Sequence, residues 1–207
     1  MLRNVEKSIA ACTPQLNPDG YKQAFKKVLE AAGCLEIFNY LMESDFFEAP
    51  AATRPEYHGC FEHGLLLHSL ETWRQITVID ATWDLGCDEK SMAKTALLHD
   101  LGKVNCYQEN FRWYKDDNNK WQKKFEWSYV EDLAYGGHGE KAVIIAQAEG
   151  VTFTPEEIMA IVWHAGGFGD LARTYHGGKN MSQARDNSNL VIALQMADSV
   201  AAHIKKI

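Results

Sequence analysis

Five segments of this chain combine the hydrophobic spacing of a helix with a histidine or an aspartate on the apolar side of that helix. His68, for example, follows Leu65 by three positions and Phe61 by seven, and such positions share one helix face. The segments are Phe61–Ile79, Ser91–Leu101, His138–Glu149, Pro155–Ala165 and Ser188–Ile204, and the polar residues are His68, His99, Asp100, His138, His164 and Asp198. The predicted core must therefore accommodate all six.

Each of these side chains, taken singly, has an ordinary structural explanation, such as a hydrogen-bonded core histidine or an aspartate in an ion pair. Taken together, four histidines and two aspartates in one core are difficult to satisfy without a cation, because burying unpaired polar groups costs several kcal/mol each. Neutral imidazole and carboxylate are ligands of divalent transition metals. The sequence therefore predicts a metal centre.

Composition limits the kind of protein that carries this centre. The chain has 207 residues, 46% of them hydrophobic, which predicts one domain. Its net charge of -7 gives no general attraction for polyanions, so a nucleotide site must be a local positive feature. Five scattered cysteines favour a reducing cytoplasm, and neither a signal peptide nor an apolar run long enough for a membrane span is found. We expect a cytoplasmic protein without a membrane segment.

The remaining segments predict an all-α fold with one small β-hairpin. Apolar spacing predicts a helix from Tyr21 to Met42, after a turn at Asn17–Gly20. Proline and glycine predict an extended loop from Phe46 to Gly59, and the Gly-rich, charged stretch from Gly166 to Asn187 predicts a long surface loop. Aromatic residues alternating with lysine and glutamate predict a hairpin over Arg112–Val130, with its turn at Asp116-Asp117-Asn118-Asn119.

The order His68, His99-Asp100, Asp198 resembles the H…HD…D signature of the HD-domain superfamily of metal-dependent phosphohydrolases. The added His138 and His164 resemble its six-ligand, two-metal subset. Flanking blocks that look like family blocks are GLLLHSLETW, ALLHDLGKV, GGHGEKAVIIAQ, EEIMAIVWHAGGFG and LVIALQMADSVA, which together cover most of Phe46–His203. The resemblance implies a single HD-domain helical bundle over residues 46–207, preceded by a helical extension in residues 1–45.

The resemblance also implies roles for individual residues. His68, His99, Asp100 and Asp198 would hold one divalent metal ion, and Asp100 would bridge to a second ion held by His138 and His164. The ions would be Mn, Fe, Co, Ni, Zn or Mg. A metal-activated hydroxide would then hydrolyse a phosphoester or phosphoanhydride bond of a nucleotide or short oligonucleotide. Asp100 and Lys103 would be catalytic, because Lys103 in HDLGK matches the family lysine and would contact the phosphoryl oxygens.

Other residues are candidates for substrate binding. His58 in the YHGCFEHG loop is expected to support a metal ligand or to contact the leaving group, although a loop histidine needs no function. Trp113 and the other hairpin aromatics would stack a base, unless they only pack across the strands. Arg173 and Lys179, with Arg185, would contact phosphate. His63, His176 and His203 are expected to be surface or structural residues.

Three alternatives stay open at this point. One is a 3'-5' exonuclease or cyclic-nucleotide phosphodiesterase, which needs a groove for a second nucleotide. Another is a di-iron oxygenase, since some six-ligand HD proteins resemble such enzymes. The last is a non-catalytic nucleotide-binding protein, against which the intact set of six ligand residues argues.

Overall fold

Eight α-helices and one two-stranded antiparallel sheet form the regular structure of the residues that the computed structural model describes, which are 17–54, 56–130 and 133–205. The helices are α1 (Pro18–Ala32), α2 (Phe38–Glu43), α3 (Gly64–Trp83), α4 (Glu89–Leu98), α5 (His138–Ala148), α6 (Pro155–Trp163), α7 (Gly177–Asn187) and α8 (Asn189–Ser199), and the strands are β1 (Tyr107–Lys115) and β2 (Trp121–Tyr129). The prediction of a mostly helical chain with one hairpin is confirmed. The predicted absence of a signal peptide concerns residues outside the described ones.

Helix starts follow local capping signals. The Asn17 side chain accepts a hydrogen bond from the Gly20 N–H at 2.9 Å, so the predicted turn at Asn17–Gly20 is instead the first turn of α1. Thr154 and Glu157 form a capping box at the start of α6, with Pro155 at the first helical position, as the sequence predicts. These signals fix where α1 and α6 begin.

Two sequence predictions about helices are wrong. The helix predicted over Tyr21–Met42 is interrupted after Ala32, because Gly33 adopts a left-handed conformation with φ of 78° that ends α1. The long loop predicted over Gly166–Asn187 contains α7. That helix buries Ala184 and brings Gly177 against neighbouring main chain, while most of its other residues are exposed. Because only Gly177 and Ala184 of α7 are buried, its sequence lacks the apolar periodicity that predicts a helix.

The hairpin is longer than the sequence predicts. Its turn lies at Asp116–Asn119 as expected, but the strands extend from Tyr107 to Tyr129 rather than over Arg112–Val130. Gln108, Glu109 and Asn110 near the start of β1 are polar and exposed, so they gave no strand signal. The Phe46–Gly59 segment forms turns and bends, with neither helix nor strand among its described residues, as predicted.

One buried apolar cluster joins helices from both ends of the chain. Its members come from α1 through α8 and include Phe25, Trp73, Leu98, Ile161 and Leu194. Helix α3 packs against α4 and α8, and α6 packs against α5 and α8. Among the described residues, no helix combines the length and apolarity needed to cross a bilayer. This packing brings the ends of α4, α6 and α8 towards the first two turns of α3, where His68 lies.

Candidate metal centre

The six predicted ligand residues come from five helical elements. His68 lies within α3, and His138 is the first residue of α5. His99 and Asp100 directly follow α4, and His164 directly follows α6, so each leaves its helix at the carboxyl end. Asp198 lies near the end of α8. The structure brings all six side chains together.

One oxygen of Asp100 faces a first pair of histidines. Asp100 Oδ2 lies 3.6 Å from His68 Nε2 and 3.4 Å from His99 Nε2, and the two imidazole nitrogens are 3.3 Å apart. Asp198 Oδ1 completes this group at 3.0 Å from His68 Nε2. Both histidines are fully buried. Four potential ligand atoms therefore converge on one small volume.

The other oxygen of Asp100 faces a second pair of histidines. Asp100 Oδ1 lies 3.6 Å from His138 Nε2 and 3.4 Å from His164 Nε2, and these two nitrogens are 3.0 Å apart. His164 is buried, whereas His138 keeps 29% of its side chain exposed. Asp100 thus stands between two histidine pairs, with one oxygen directed to each.

Hydrogen bonds to the main chain orient two of these rings. His99 Nδ1 is 2.8 Å from the Ala96 carbonyl oxygen, and His164 Nδ1 is 2.6 Å from the Ile161 carbonyl oxygen. Because a carbonyl only accepts, each Nδ1 carries the proton, and in a neutral ring Nε2 then presents a lone pair. This is the arrangement that backbone partners impose on metal-binding histidines. The lone pairs point at Asp100.

Two buried polar atoms of the cluster, one carboxylate oxygen and one ring nitrogen, have no hydrogen-bond partner among the described residues. These atoms are Asp100 Oδ1 and His68 Nδ1, and the Asp100 side chain is only 1% exposed. Leaving such groups unpaired is costly, and converging lone pairs and carboxylates repel one another unless a cation lies between them. Imidazole and carboxylate are suitable donors for a divalent transition ion. The buried His/Asp cluster is therefore able to hold a metal ion.

The charge states of the cluster suit a cation at neutral pH. Burial by itself raises the pKa of Asp100, but Lys103 and His99 outweigh it and hold that pKa well below its usual range. Burial lowers the pKa of His138 to about 3, and nearby His164 adds to the effect. At neutral pH Asp100 is charged and His138 is neutral. Both are in the state that binds metal.

The stability of the metal-free protein is expected to fall on acidification from pH 7 to pH 5. Burial lowers the pKa of His58 to about 4 and that of His138 to about 3, whereas an unfolded histidine titrates at ~6.5. The unfolded chain then binds more protons than the folded one across this window, so the free energy of unfolding decreases as the pH falls. We expect a loss of about 1–2 kcal/mol for each histidine. The smaller value applies to His138, because 29% of its side chain is exposed and solvent screens its charge.

Urea unfolding at pH 7 and pH 5 in the presence of EDTA measures this loss. A His58→Gln variant retains only the contribution of His138, and a His138→Gln variant only that of His58. Equal unfolding free energies of the wild type at the two pH values would contradict the prediction.

Two further residues predicted for the site lie beside the cluster. Lys103 Nζ is 2.7 Å from Asp100 Oδ2, and its side chain is 17% exposed. The His58 ring centroid is 4.7 Å from that of His68, and His58 Nε2 is buried without a hydrogen-bond partner among the described residues. Both residues thus lie next to the cluster, and the roles expected for them from the sequence remain predictions.

The other three predicted substrate residues are more distant. Arg173 lines a pocket of about 250 Å³ next to His138 and His164. Lys179 is exposed near the start of α7 and is not among the residues lining that pocket. Trp113 is 60% exposed, six residues along β1 from Tyr107, which corresponds to about 20 Å at ~3.3 Å per residue. Their substrate roles stay predictions.

Two features of the site were missed by sequence reasoning. Gly102 lies against the main chain of His138, where a side chain would not fit. Tyr107 donates a hydrogen bond from Oη to the Ala51 carbonyl oxygen at 2.9 Å, and Lys103 Nζ lies 3.4 Å from the same oxygen. Gly102, directly after His99-Asp100-Leu101, could have indicated from the sequence that another main-chain segment approaches closely there. Nothing in the sequence indicated the position of Tyr107.

Comparisons with protein-family models, with curated proteins and with solved structures find no match for this chain. That the buried cluster could hold a metal ion therefore rests on the positions of its own side chains, chiefly His68, His99, Asp100, His138 and His164. The number of ions, their identity and the family are matters for proposal.

Proposed function

We propose that this protein is a phosphohydrolase of the HD-domain superfamily that uses two divalent metal ions to hydrolyse a phosphoester or phosphoanhydride bond of a nucleotide or short oligonucleotide. The observation that carries the proposal is the position of Asp100 between two histidine pairs, with Oδ2 facing His68 and His99 and Oδ1 facing His138 and His164. Six candidate ligand residues are more than one catalytic ion with an open coordination position requires. A shared carboxylate is suited to two.

The chain's residues support hydrolysis in distinct ways. Divalent ions held here would lower the pKa of water towards ~7 and withdraw charge from phosphoryl oxygens. Asp100 and Asp198 supply negative charge that attracts the ions, and the buried histidines exclude bulk water around them. In the reaction, a water oxygen bonds to phosphorus, the bond from phosphorus to the leaving oxygen breaks, and that oxygen takes up a proton. Lys103 supplies a cation for the charge on the phosphoryl group.

The small volume of the pocket next to the second histidine pair limits the size of the ligand that it encloses. Its lining includes His138, His164, Arg173, Glu140 and Gly166, and its volume is about 250 Å³. Pockets that enclose a drug-sized ligand are commonly ~300–1,000 Å³. This one therefore suits a phosphate with part of its sugar, and Arg173 provides a positive charge there. The rest of a nucleotide ligand would lie outside it.

A matrix of metals against substrates tests the proposal. Full-length protein stripped with EDTA is reloaded with Mn, Fe, Co, Ni, Zn or Mg and incubated with nucleotides, cyclic dinucleotides, short oligonucleotides and bis(p-nitrophenyl) phosphate. We expect at least one metal to restore release of a phosphoester product. Binding of nucleotides without turnover under every metal would indicate a binding protein instead. Turnover that needs both iron and dioxygen would indicate an oxygenase.

Removing the Lys103 side chain is expected to lower turnover while sparing metal binding. Its proposed partner is the substrate phosphoryl group, so Lys103→Ala should reduce kcat by about 10²-fold, comparable to loss of one charge-stabilising donor. Lys103→Arg restores the positive charge and should recover part of the rate. Elemental analysis should give the wild-type metal content for both variants. A Lys103→Ala protein that loses metal but keeps its rate per bound metal would show that Lys103 serves the metal cluster.

A further inference from the structure

The β-hairpin separates its side chains into an aromatic face and a polar face. In an antiparallel pair, residues directly opposite each other point to the same side, and successive residues alternate sides. The observed register pairs Phe111 with Phe125 and Trp113 with Lys123. The aromatic face defined in this way consists of Tyr107, Glu109, Phe111, Trp113, Lys115, Trp121, Lys123, Phe125, Trp127 and Tyr129. Seven of its ten residues are therefore aromatic.

Much of the aromatic face is open to solvent. Phe111, Trp113, Trp121 and Phe125 are 46%, 60%, 64% and 40% exposed. Edge-to-face contacts, with Phe111 and Phe125 centroids 5.7 Å apart, order some of these rings but leave large surfaces uncovered. Large aromatic side chains exposed next to one another on one surface usually mark a binding site. Cross-strand packing alone does not explain so much exposure.

The aromatic face also carries two lysines, Lys115 and Lys123. Lys123 Nζ is 3.7 Å from the Phe111 ring centroid, and Lys115 Nζ is 5.3 Å from that of Trp121. Within the described chain, neither lysine forms an ion pair with a carboxylate. The cations of the polar face do: Arg112 pairs with Glu126 at 3.4 Å and Lys124 with Glu56 at 2.7 Å. The aromatic face thus offers cations on a protein of net charge -7.

The aromatic face begins at the metal cluster. Tyr107, at its inner end, shares the Ala51 carbonyl oxygen with Lys103, whose Nζ lies 2.7 Å from Asp100. Tyr129 pairs with Tyr107 across the strands, with ring centroids 5.3 Å apart. From there the nine-residue strands extend about 26 Å at ~3.3 Å per residue. Successive rings therefore lead from the cluster towards the hairpin tip.

We propose that the aromatic face binds a single-stranded oligonucleotide by base stacking and directs one end of that strand to the metal centre. Rings that stack bases together with cations that contact phosphates are the two elements of sequence-tolerant single-strand binding. A protein interface would place these lysines in its apolar core, from which lysine is normally depleted. A second copy of this chain is disfavoured for the same reason. Four exposed rings fit a strand of at least about four nucleotides.

This inference deepens the proposed function, on which it rests for the fate of the bound strand. It makes the substrate an oligonucleotide longer than the small pocket near Arg173 encloses. DNA and RNA share the chemistry that the face recognises, namely bases and phosphates. Stacked bases along the hairpin and a phosphate at the cluster would be held by different parts of the chain.

Fluorescence anisotropy with full-length protein tests the binding directly. Labelled dT and rU strands of two, four, eight and twelve nucleotides are titrated in EDTA, so that no hydrolysis occurs. We expect affinity to rise with length up to at least four nucleotides. Trp113→Ala and Trp121→Ala should each weaken binding of the eight-nucleotide strand by about 10- to 100-fold. Lys123→Gln should lower the slope of log K against log salt by about 0.7, the value for one phosphate contact of a single strand.

Tyr114→Ala is the matched control. Tyr114 lies on the same strand and is 43% exposed, but it points to the polar face. Its removal should change the affinity less than about 2-fold, and the melting temperature of every variant verifies folding. Absence of length dependence, or equal losses for Tyr114→Ala and Trp113→Ala, would overturn the inference. So would sedimentation showing a wild-type dimer that the Trp113→Ala variant abolishes.

The two proposals fail in different ways. Strand binding without hydrolysis under any metal would leave the aromatic face as a binding surface and reject the phosphohydrolase. Hydrolysis of bis(p-nitrophenyl) phosphate by a wild type that binds no strand would keep the phosphohydrolase and reject the aromatic face.

Discussion

Asp100→Ala is expected to abolish the proposed hydrolysis and to reduce bound metal from the proposed two ions per chain to at most one. Asp100 is the only side chain that faces both histidine pairs within the described structure, with Oδ2 towards His68 and His99 and Oδ1 towards His138 and His164. Asp198, the other carboxylate of the cluster, contacts the first pair through His68, whereas Asp100 is the residue shared by both candidate metal groups of the described chain. We expect a loss of more than about 10³-fold in kcat/KM, above the cost of one charge-stabilising donor.

Elemental analysis, circular dichroism and activity are measured on the same preparations. Asp100→Asn preserves the shape but removes the charge, and should also lose metal. Asp186→Ala, which removes an exposed carboxylate of α7, is the control and should behave as the wild type. A folded Asp100→Ala protein that retains two ions and measurable turnover would contradict both the bridging position and the proposed mechanism.

Gly102→Ala is expected to destabilise the fold strongly and to disrupt the second histidine pair. A β-carbon on Gly102 would overlap the main-chain carbonyl of His138, which is backbone and has no flexible end to move away. Overpacking of this kind typically costs ~1–3 kcal/mol, and a clash with main chain lies at the upper end. Because His138 starts α5, relief of the clash moves that histidine away from Asp100. The variant should therefore also lose one of the two ions proposed to bind there.

Urea unfolding in EDTA and metal analysis test both parts of this prediction. Gly178→Ala is the matched control, because Gly178 lies in α7 and a β-carbon there meets nothing within 4 Å. Its unfolding free energy should stay the same or rise by up to ~1 kcal/mol. Equal stability of Gly102→Ala and the wild type would refute the close approach of Gly102 to α5.

The candidate metal centre could be predicted from the sequence to the level of its six residues. Helical periodicity placed His68 and Asp198 on apolar faces, and a polar residue on such a face needs a partner in the core. Periodicity does not say which oxygen of Asp100 faces which histidine, nor that Ala96 and Ile161 carbonyls orient two of the rings. Those details depend on how the helices pack.

The fold was predictable where local signals were strong. Thr154, Pro155 and Glu157 specify the start of α6 without help from the rest of the chain. Helix α7 was missed because most of its side chains are polar and its stability comes from tertiary contacts around Ala184. The interruption after Ala32 was missed because apolar residues continue in helical spacing beyond Gly33. Hydrophobic spacing thus identifies the buried face of a helix better than it identifies where the helix ends.

The origin of the ligands along the chain also affects how the molecule moves. His68 and Asp198 are separated by most of the described sequence, and the other ligands come from elements between them. Without an ion, we expect the end of α8 to open locally while α3 and α4 stay packed, since local opening costs less than global unfolding. With ions bound, the same opening has to release a ligand. Loading the centre would therefore merge separate local openings into one cooperative unit that extends from α3 to α8.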